Sequence, residues 1–273
     1  MNLLLPGMYV AADSALHRLD PRVKMGGALL LMALPFAAPR LWSTLALLLT
    51  VAALTRLSTA PLSALLRTLH TVLWVGFFMF FFYLFTTPGR TIVALGGVGV
   101  TWEGLVAGAT QVYRLCLLVT IAALLTFTTS PGQLAHGLEA LLGPLGRVGL
   151  PVREIALVLT IALRFVPTLF DEIDKISKAQ RARGTDFCSG NPWHRVRAWV
   201  PMFVPIFVSA FRRAEELAVA MEARGFRTAH PRTRLHQLHL THRDLLAAAG
   251  LAATSLTILA LNHVSWPPWQ PPT

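Results

Sequence analysis

Two arginines stand in matched settings. Arg183 lies in Ala179-Gln180-Arg181-Ala182-Arg183-Gly184, and Arg224 in Ala220-Met221-Glu222-Ala223-Arg224-Gly225; both stretches read Ala-x-x-Ala-Arg-Gly. A guanidinium offers a planar fork of donors that fits a carboxylate bidentately. Glycine is the natural residue for the left-handed position just past a helix, and a cation in the last turn is favoured by the helix dipole. A single Ala-Arg-Gly is an ordinary helix stop. Two copies, each closing a long helix, point to a common task.

The helices that must position them are legible as periodic runs. Ile155, Leu159, Ala162, Val166, Leu169, Ile173, Ile176 and Gln180 step by threes and fours toward Arg183, and Val200, Phe203, Phe207, Ala210, Leu217 and Met221 lead the same way to Arg224. Such spacing puts the side chains on one face of an α-helix. Helices are therefore predicted over about 152–183 and 195–224, with a shorter one over about 131–142. Pro144, Gly146, Gly149 and Pro151 break the short helix from the first long one, and Gly190-Asn191-Pro192 separates the two long ones. Pro167, Pro201 and Pro205 are expected to kink their helices.

Other chemistry is sparse. No lysine follows a glycine, so the Gly-x-x-x-x-Gly-Lys-Ser/Thr phosphate loop is absent and an energised function must borrow an ATPase. Gly96-Gly97-Val98-Gly99 reads as a turn. His230, His236, His239 and His242 share one basic stretch, and on a helix two of the last three would be able to meet one ion. No His-Glu-x-x-His and no cysteine pair accompanies them, so a solvated linker is the favoured reading. No Ser-His-Asp arrangement can be argued. The expectation is no catalytic residue, no cofactor, no metal and no enzyme.

Composition sets the class. With 54% hydrophobic and 14% charged residues, the 273-residue chain is too apolar for an ordinary soluble domain. Its net charge of +11 does not mark a nucleic-acid binder, because the basic residues gather between membrane-length apolar runs. Cys116 lies in an apolar run and Cys188 in a basic segment, so a disulfide between them is not expected. The first residues lack the basic start and full apolar core of a cleaved signal peptide.

Five apolar runs, at about 23–38, 41–56, 65–86, 104–127 and 244–262, are expected to span a bilayer, the first two near the lower length limit. Asp13-Ser14 is placed to cap a short interfacial helix before them, and Trp266 and Trp269 suit a membrane interface after them. With a cytoplasmic N-terminus the inner face holds Arg18, Arg22, Lys24, Arg56, Arg67 and the sixteen basic residues of 128–243, and the outer face only Arg40 and Arg90. That is the positive-inside pattern. A topology in which 155–170 and 198–211 cross the bilayer would put the two matched arginines on opposite sides, and is rejected. The expected fold is an all-α integral membrane protein of about five transmembrane helices plus a cytosolic coupling domain of long amphipathic helices. The expected division is 1–127, an N-terminal membrane bundle; 128–243, the cytoplasmic coupling domain; and 244–273, the last span with its Pro/Trp tail.

None of the thirteen carboxylates lies inside these spans, Glu103 and Asp244 sitting at their edges, which argues against a self-sufficient ion-coupled carrier. Arg114, near the middle of the fourth span, is a possible intramembrane polar contact. It has three uses open to it: snorkelling, binding a partner's polar group, or pairing within the bundle. Gly104-x-x-x-Gly108 and the small residues Ala248, Ala249, Gly250, Ala252 and Ala253 allow close helix approach, either inside the bundle or to a second membrane protein.

The matched helix ends resemble those of the transmembrane coupling (T) component of energy-coupling factor (ECF) transporters, the family that includes the cobalt-transport-type permeases. The likeness extends to Asp13-Ser14-Ala15-Leu16-His17-Arg18-Leu19-Asp20-Pro21-Arg22-Val23-Lys24, to Leu163-Arg164-Phe165-Val166-Pro167 and to the run from Arg213 to Phe226, and so spans nearly the whole chain. The resemblance implies that the two long helices cross. It implies that Ala182, Arg183 and Gly184 dock into one cytosolic ABC ATPase subunit and Ala223, Arg224 and Gly225 into another. It further implies a separate substrate-binding membrane (S) subunit, with vitamin or cobalt/nickel uptake as the task, in a multi-pass cell inner membrane setting with the coupling domain cytoplasmic. The expected partners are thus two ABC ATPase subunits, an S subunit and the lipid bilayer, with no nucleic acid. From the residues alone, a self-contained channel or carrier with a regulatory helical domain, or a membrane enzyme, stays open.

The six basic residues of 171–197 place that segment in the cytoplasm by the charge count. With Cys116 replaced by alanine, a membrane-impermeant thiol reagent is expected to leave Cys188 unlabelled in intact cells and to label it in inverted vesicles. Labelling from outside would reverse the topology.

Overall fold

A helix begins at Asp20-Pro21 for two reasons. Proline has its φ preset for the first helical position, and the Asp20 carboxylate accepts the backbone N–H of Arg22 at 2.8 Å, capping an amide the helix cannot satisfy. The computed structural model describes residues 14, 16–37, 41–59, 61–95, 98–149, 151–184, 192–226 and 241–263. In chain order these form α1 (Pro21–Ala37), α2 (Leu41–Leu57), α3 (Leu62–Thr86), β1 (Thr91–Leu95), β2 (Val98–Thr101), α4 (Trp102–Thr128) and α5 (Pro131–Leu142). A 3-10 turn (Gly143–Val148), α6 (Val152–Ala182), α7 (Pro192–Ala223) and α8 (His242–His263) follow. The protein is an all-α membrane protein, with one small antiparallel hairpin.

Among the described residues, α3, α4 and α8 are long and apolar enough to cross a membrane. The first two expected spans form helices shorter than these three. At 17 residues each, α1 and α2 reach about 25 Å, under the ~30 Å of a hydrocarbon core. Both are nevertheless built into the membrane unit. Ala28, Leu31 and Leu34 of α1, Leu47 and Val51 of α2, Leu117 and Ile121 of α4 and Ile258 of α8 form one buried cluster. A second cluster joins Leu65 of α3 to Ala123 and Phe127 of α4.

The Gly104-x-x-x-Gly108 pair is used within the bundle. A Cβ on Gly104 would lie 2.8 Å from the Tyr83 carbonyl oxygen and 3.0 Å from that of Leu84, and one on Gly108 would lie 3.1 Å from the Phe80 carbonyl oxygen. Their absence lets α4 press against the backbone of α3. The hairpin closes the same end of this pair, where the sequence suggested only a turn. Thr101 Oγ1 accepts the Gly104 N–H at 3.0 Å as the α4 cap and donates to the Thr87 carbonyl at 2.8 Å. Glu103, in the first turn of α4, accepts the Arg90 N–H at 2.7 Å.

The chain divides into two compact units, one of residues 1–141 with 238–273, the other of residues 142–237. The first holds α1 to α5 and α8. α5 packs against the start of α1, where a Cβ on Gly137 would meet Met25 Sδ at 2.7 Å and Pro21 Cβ at 3.2 Å. Ser14, buried, accepts the His17 N–H at 3.4 Å and starts the single turn ahead of α1, while Asp13 lies outside the described residues. The second unit contains α6 and α7, which pack on each other and run continuously through Pro167, Pro201 and Pro205.

Gly104→Ala is expected to lower thermal stability in detergent, since backbone oxygens rather than a flexible side chain must move, at a cost of about 1–3 kcal/mol. Gly26→Ala, in α1 with nothing within 4 Å of the added carbon, is expected to be neutral or to stabilise by up to about 1 kcal/mol. Equal melting shifts for the two would refute close α3–α4 approach as the use of Gly104.

Candidate functional site

Both Ala-Arg-Gly stretches terminate their helices in the same way. At the end of α6 the Arg183 N–H reaches the Ala179 carbonyl at 3.2 Å and the Gly184 N–H the Arg181 carbonyl at 3.0 Å, with Gly184 at φ +85°. At the end of α7 the Arg224 N–H reaches Ala220 O at 3.3 Å, the Gly225 N–H Glu222 O at 2.8 Å and the Phe226 N–H Met221 O at 3.0 Å, with Gly225 at φ +66°. The paired bonds at Gly225 and Phe226 are a Schellman closure. A Cβ on either glycine would meet nothing within 4 Å, so the left-handed backbone and not crowding requires glycine there. Ala182, Arg183, Gly184, Ala223, Arg224 and Gly225 are all exposed. Because backbone amides satisfy the last carbonyls, both guanidiniums are left for other contacts.

One ion pair ties the two helices together. Arg213 of α7 donates through Nη2 to Glu172 Oε2 of α6 at 3.1 Å. Sequence reasoning did not single out this pair, although the repeat contained the signal. Arg183 lies eleven residues beyond Glu172, and Arg224 eleven residues beyond Arg213. The contact therefore joins corresponding positions of the two runs, and each arginine stands about 16 Å of helix from it. Around the contact the apolar stripes are half-buried at Leu169, Ile173, Ile176, Ala210, Leu217 and Met221. Earlier in the helices Ile155, Val166, Val200, Phe203 and Phe207 are exposed.

Arg114 belongs to the membrane unit and pairs within it. Its Nε donates to the Pro35 carbonyl at 3.1 Å, in the last turn of α1, and its Nη1 to Gln111 Oε1 at 3.3 Å. Gln111 in turn donates to the Tyr83 hydroxyl at 3.1 Å, and the guanidinium carbon lies 5.4 Å from the centre of the Phe36 ring. Of its three open uses, the structure shows this one. Of the histidines in the basic stretch, His242 is exposed at the start of α8, while His230, His236 and His239 lie outside the described residues, as does Cys188. Among the described residues no three His, Cys, Asp or Glu side chains converge as a metal site.

The profile of the family described as cobalt transport protein (CbiQ) matches residues 12–235. The chain belongs to the cobalt transport protein family. Among its relatives is the "energy-coupling factor transporter transmembrane protein EcfT" of Bacillus subtilis, 42% identical over 263 residues that cover 96% of this chain and 99% of the relative. The protein of the same name from Brevibacillus brevis is 47% identical over 264 residues, 95% of this chain and 97% of its own. That from Thermosediminibacter oceani is 44% identical over 255 residues, 93% and 96% of the two. The chain thus belongs with the transmembrane proteins of ECF transporters.

The ion pair of this transporter component is partly screened, with side-chain exposures of 34% and 25%, against 73% and 63% for Lys178 and Asp174, paired within one helix. A double-mutant cycle on Glu172→Ala and Arg213→Ala is expected to give a coupling of about 0.5–1 kcal/mol in thermal or denaturant unfolding, and one on Asp174→Ala and Lys178→Ala about 0–0.5. Strict additivity at Glu172 and Arg213 would remove the pair as a tie between the helices.

Proposed function

We propose that the chain is the force-transmitting scaffold of an ECF-type ABC importer. It couples ATP hydrolysis by two cytosolic ATPases to movement of a separate substrate-binding membrane subunit, in the uptake of a vitamin or a transition metal. In this reading residues 1–127 and 244–273 form the membrane portion, and residues 128–243 the cytoplasmic coupling domain. Arg183 and Arg224 each anchor one ATPase, with Ala182, Gly184, Ala223 and Gly225 completing the two docking ends. The chain itself is non-catalytic, and substrate choice resides in the other membrane subunit.

The observation that carries the reading is the equivalence of the two helix ends. They share a sequence, a glycine closure that leaves the guanidinium exposed, and an equal distance from one ion pair. A scaffold that meets two similar partners needs two similar contacts. A helix end laid into a partner's groove with one arginine anchor is a known recognition mode, and the relatives' name, energy-coupling factor transporter transmembrane protein, supports such a role. The exposed apolar stretches of α6 and α7 ahead of the pair support contact with lipid or with another membrane subunit.

Truncating a desolvated interface arginine costs about 2 kcal/mol or more, a loss of roughly thirtyfold in affinity, whereas a rim charge costs about 0–1 kcal/mol. Arg183→Ala and Arg224→Ala are each expected to reduce co-purification of the ATPases and uptake, and the double variant to abolish both. Arg195→Ala and Arg232→Ala, of equal charge loss outside the motifs, are expected to behave as the native chain. Lysine at 183 or 224 is expected to rescue only in part, for want of the bidentate fork. Equal loss in all four alanine variants would reduce the effect to general surface charge and end the two-anchor reading.

A further inference from the structure

The membrane unit contains a groove of about 1100 Å³ between α1, α2, α4 and α8. That exceeds the roughly 300–1000 Å³ of sites for drug-sized ligands. Its walls are almost wholly apolar, with Leu49, Ala53 and Leu54 on α2 and Leu246, Gly250 and Leu251 on α8. Its cations gather at one end. Arg18 precedes α1, Lys24 lies in the first turn of α1 and Arg243 in the first turn of α8; all three line the groove. The helix starts adjoin, since the Asp20 N–H donates to Asp244 Oδ1 at 2.7 Å.

The neighbouring carboxylates are already engaged by backbone. Asp20 accepts the Arg22 N–H at 2.8 Å, and Asp244 accepts the N–H groups of Asp20 and, at 2.8 Å, Thr241. Lys24 donates to the carbonyls of His17 at 3.0 Å and Thr128 at 3.1 Å, which fixes its ammonium at the groove's end and uses two of its three protons. Arg18 and Arg243 are exposed. A soluble metabolite of this size would need polar partners along its length. Here the charge is confined to one end and is positive; further along, the Thr50 and Thr254 hydroxyls are taken up by the Ala46 and Gly250 carbonyls, and the rest matches hydrocarbon. The complementary ligand is an amphiphile with an anionic head and a long apolar tail.

We propose that this groove binds one anionic phospholipid, its phosphate held by Arg18, Lys24 and Arg243 and an acyl chain laid between α2 and α8. One of the small residues of α8 acquires a use in this arrangement. Gly250 lines the groove, and a Cβ there would meet nothing within 4 Å, leaving space for a chain that no protein side chain fills.

The test is native mass spectrometry of the full-length chain, purified in neutral detergent and titrated with phosphatidylglycerol or phosphatidylcholine of identical acyl chains. One phosphatidylglycerol per chain is expected to be retained, at least tenfold over phosphatidylcholine. The Arg18→Ala, Arg243→Ala double variant is expected to retain phosphatidylglycerol no better than phosphatidylcholine, and Arg243→Lys to keep most of the preference. Gly250→Leu, which fills the apolar part without touching the charges, is expected to lower retention of both lipids. It also keeps the test decisive if the double arginine variant loses its helical circular dichroism. Equal retention of the two lipids, native-like retention by Gly250→Leu, or displacement by glycerol 1-phosphate as effective as by phosphatidylglycerol would overturn the proposal, the last by showing a small-anion site.

Discussion

Every α-helix begins with amides and ends with carbonyls that it cannot satisfy itself, and inside lipid no water satisfies them. In a chain built almost wholly of helices, how each end is closed decides what that end is free to do. α1 stops at Ala37, and the Arg114 guanidinium, reaching from α4, takes the Pro35 carbonyl. α4 starts on the Thr101 hydroxyl, and α8 on the Asp244 carboxylate, which also holds the amide of Asp20. These ends spend side chains on closure and become fixed joints of the membrane unit. α6 and α7 close through a left-handed glycine and their own backbone amides. Their last arginines are not consumed.

The same economy explains the packing of the membrane unit. Between helices already in hydrocarbon there is little hydrophobic gain from association, so close backbone approach and hydrogen bonds carry more of the load. α3 illustrates the consequence. Its Trp74, Phe77, Phe78, Phe82 and Phe85 are exposed, while Gly76 and the backbone at Phe80, Tyr83 and Leu84 form the face that meets α4. Large side chains that would be buried in a soluble bundle point outward here, and the smallest residues occupy the contacts. The short helices α1 and α2 together supply five of the eight residues of the larger buried cluster, as expected of segments too short to stand across a bilayer unaided.

Much of this was legible in the sequence. Helix starts at Pro21, Pro131, Pro151-Val152 and Pro192 carry their own punctuation, and long periodic runs ending in Ala-Arg-Gly leave little freedom over where α6 and α7 stop. The glycine closures followed from residue type alone. Pair contacts did not. Whether Arg114 snorkels or pairs depends on where α1 ends, a boundary set in a different part of the chain. The Gly104–Gly108 face was visible, but not its partner. The hairpin at 91–101 was missed because its strands are too short to display alternation beside the glycines between them. Glu172 and Arg213 looked like ordinary charges on amphipathic helices until the two runs were aligned on their glycines.

That alignment constrains how the coupling helices can change over time. Eleven residues make just over three whole turns, so Arg183 leaves α6 on nearly the same side as Glu172, and Arg224 leaves α7 on nearly the same side as Arg213. Inserting one residue between them would preserve the ion pair and the glycine stop, yet swing the terminal guanidinium about 100° around the helix. Insertions and deletions in either arm are thus quantised. Only steps near whole turns, such as seven or eleven residues, keep the arginine in phase, and a step in one arm alone would leave the two helix ends at unequal reach.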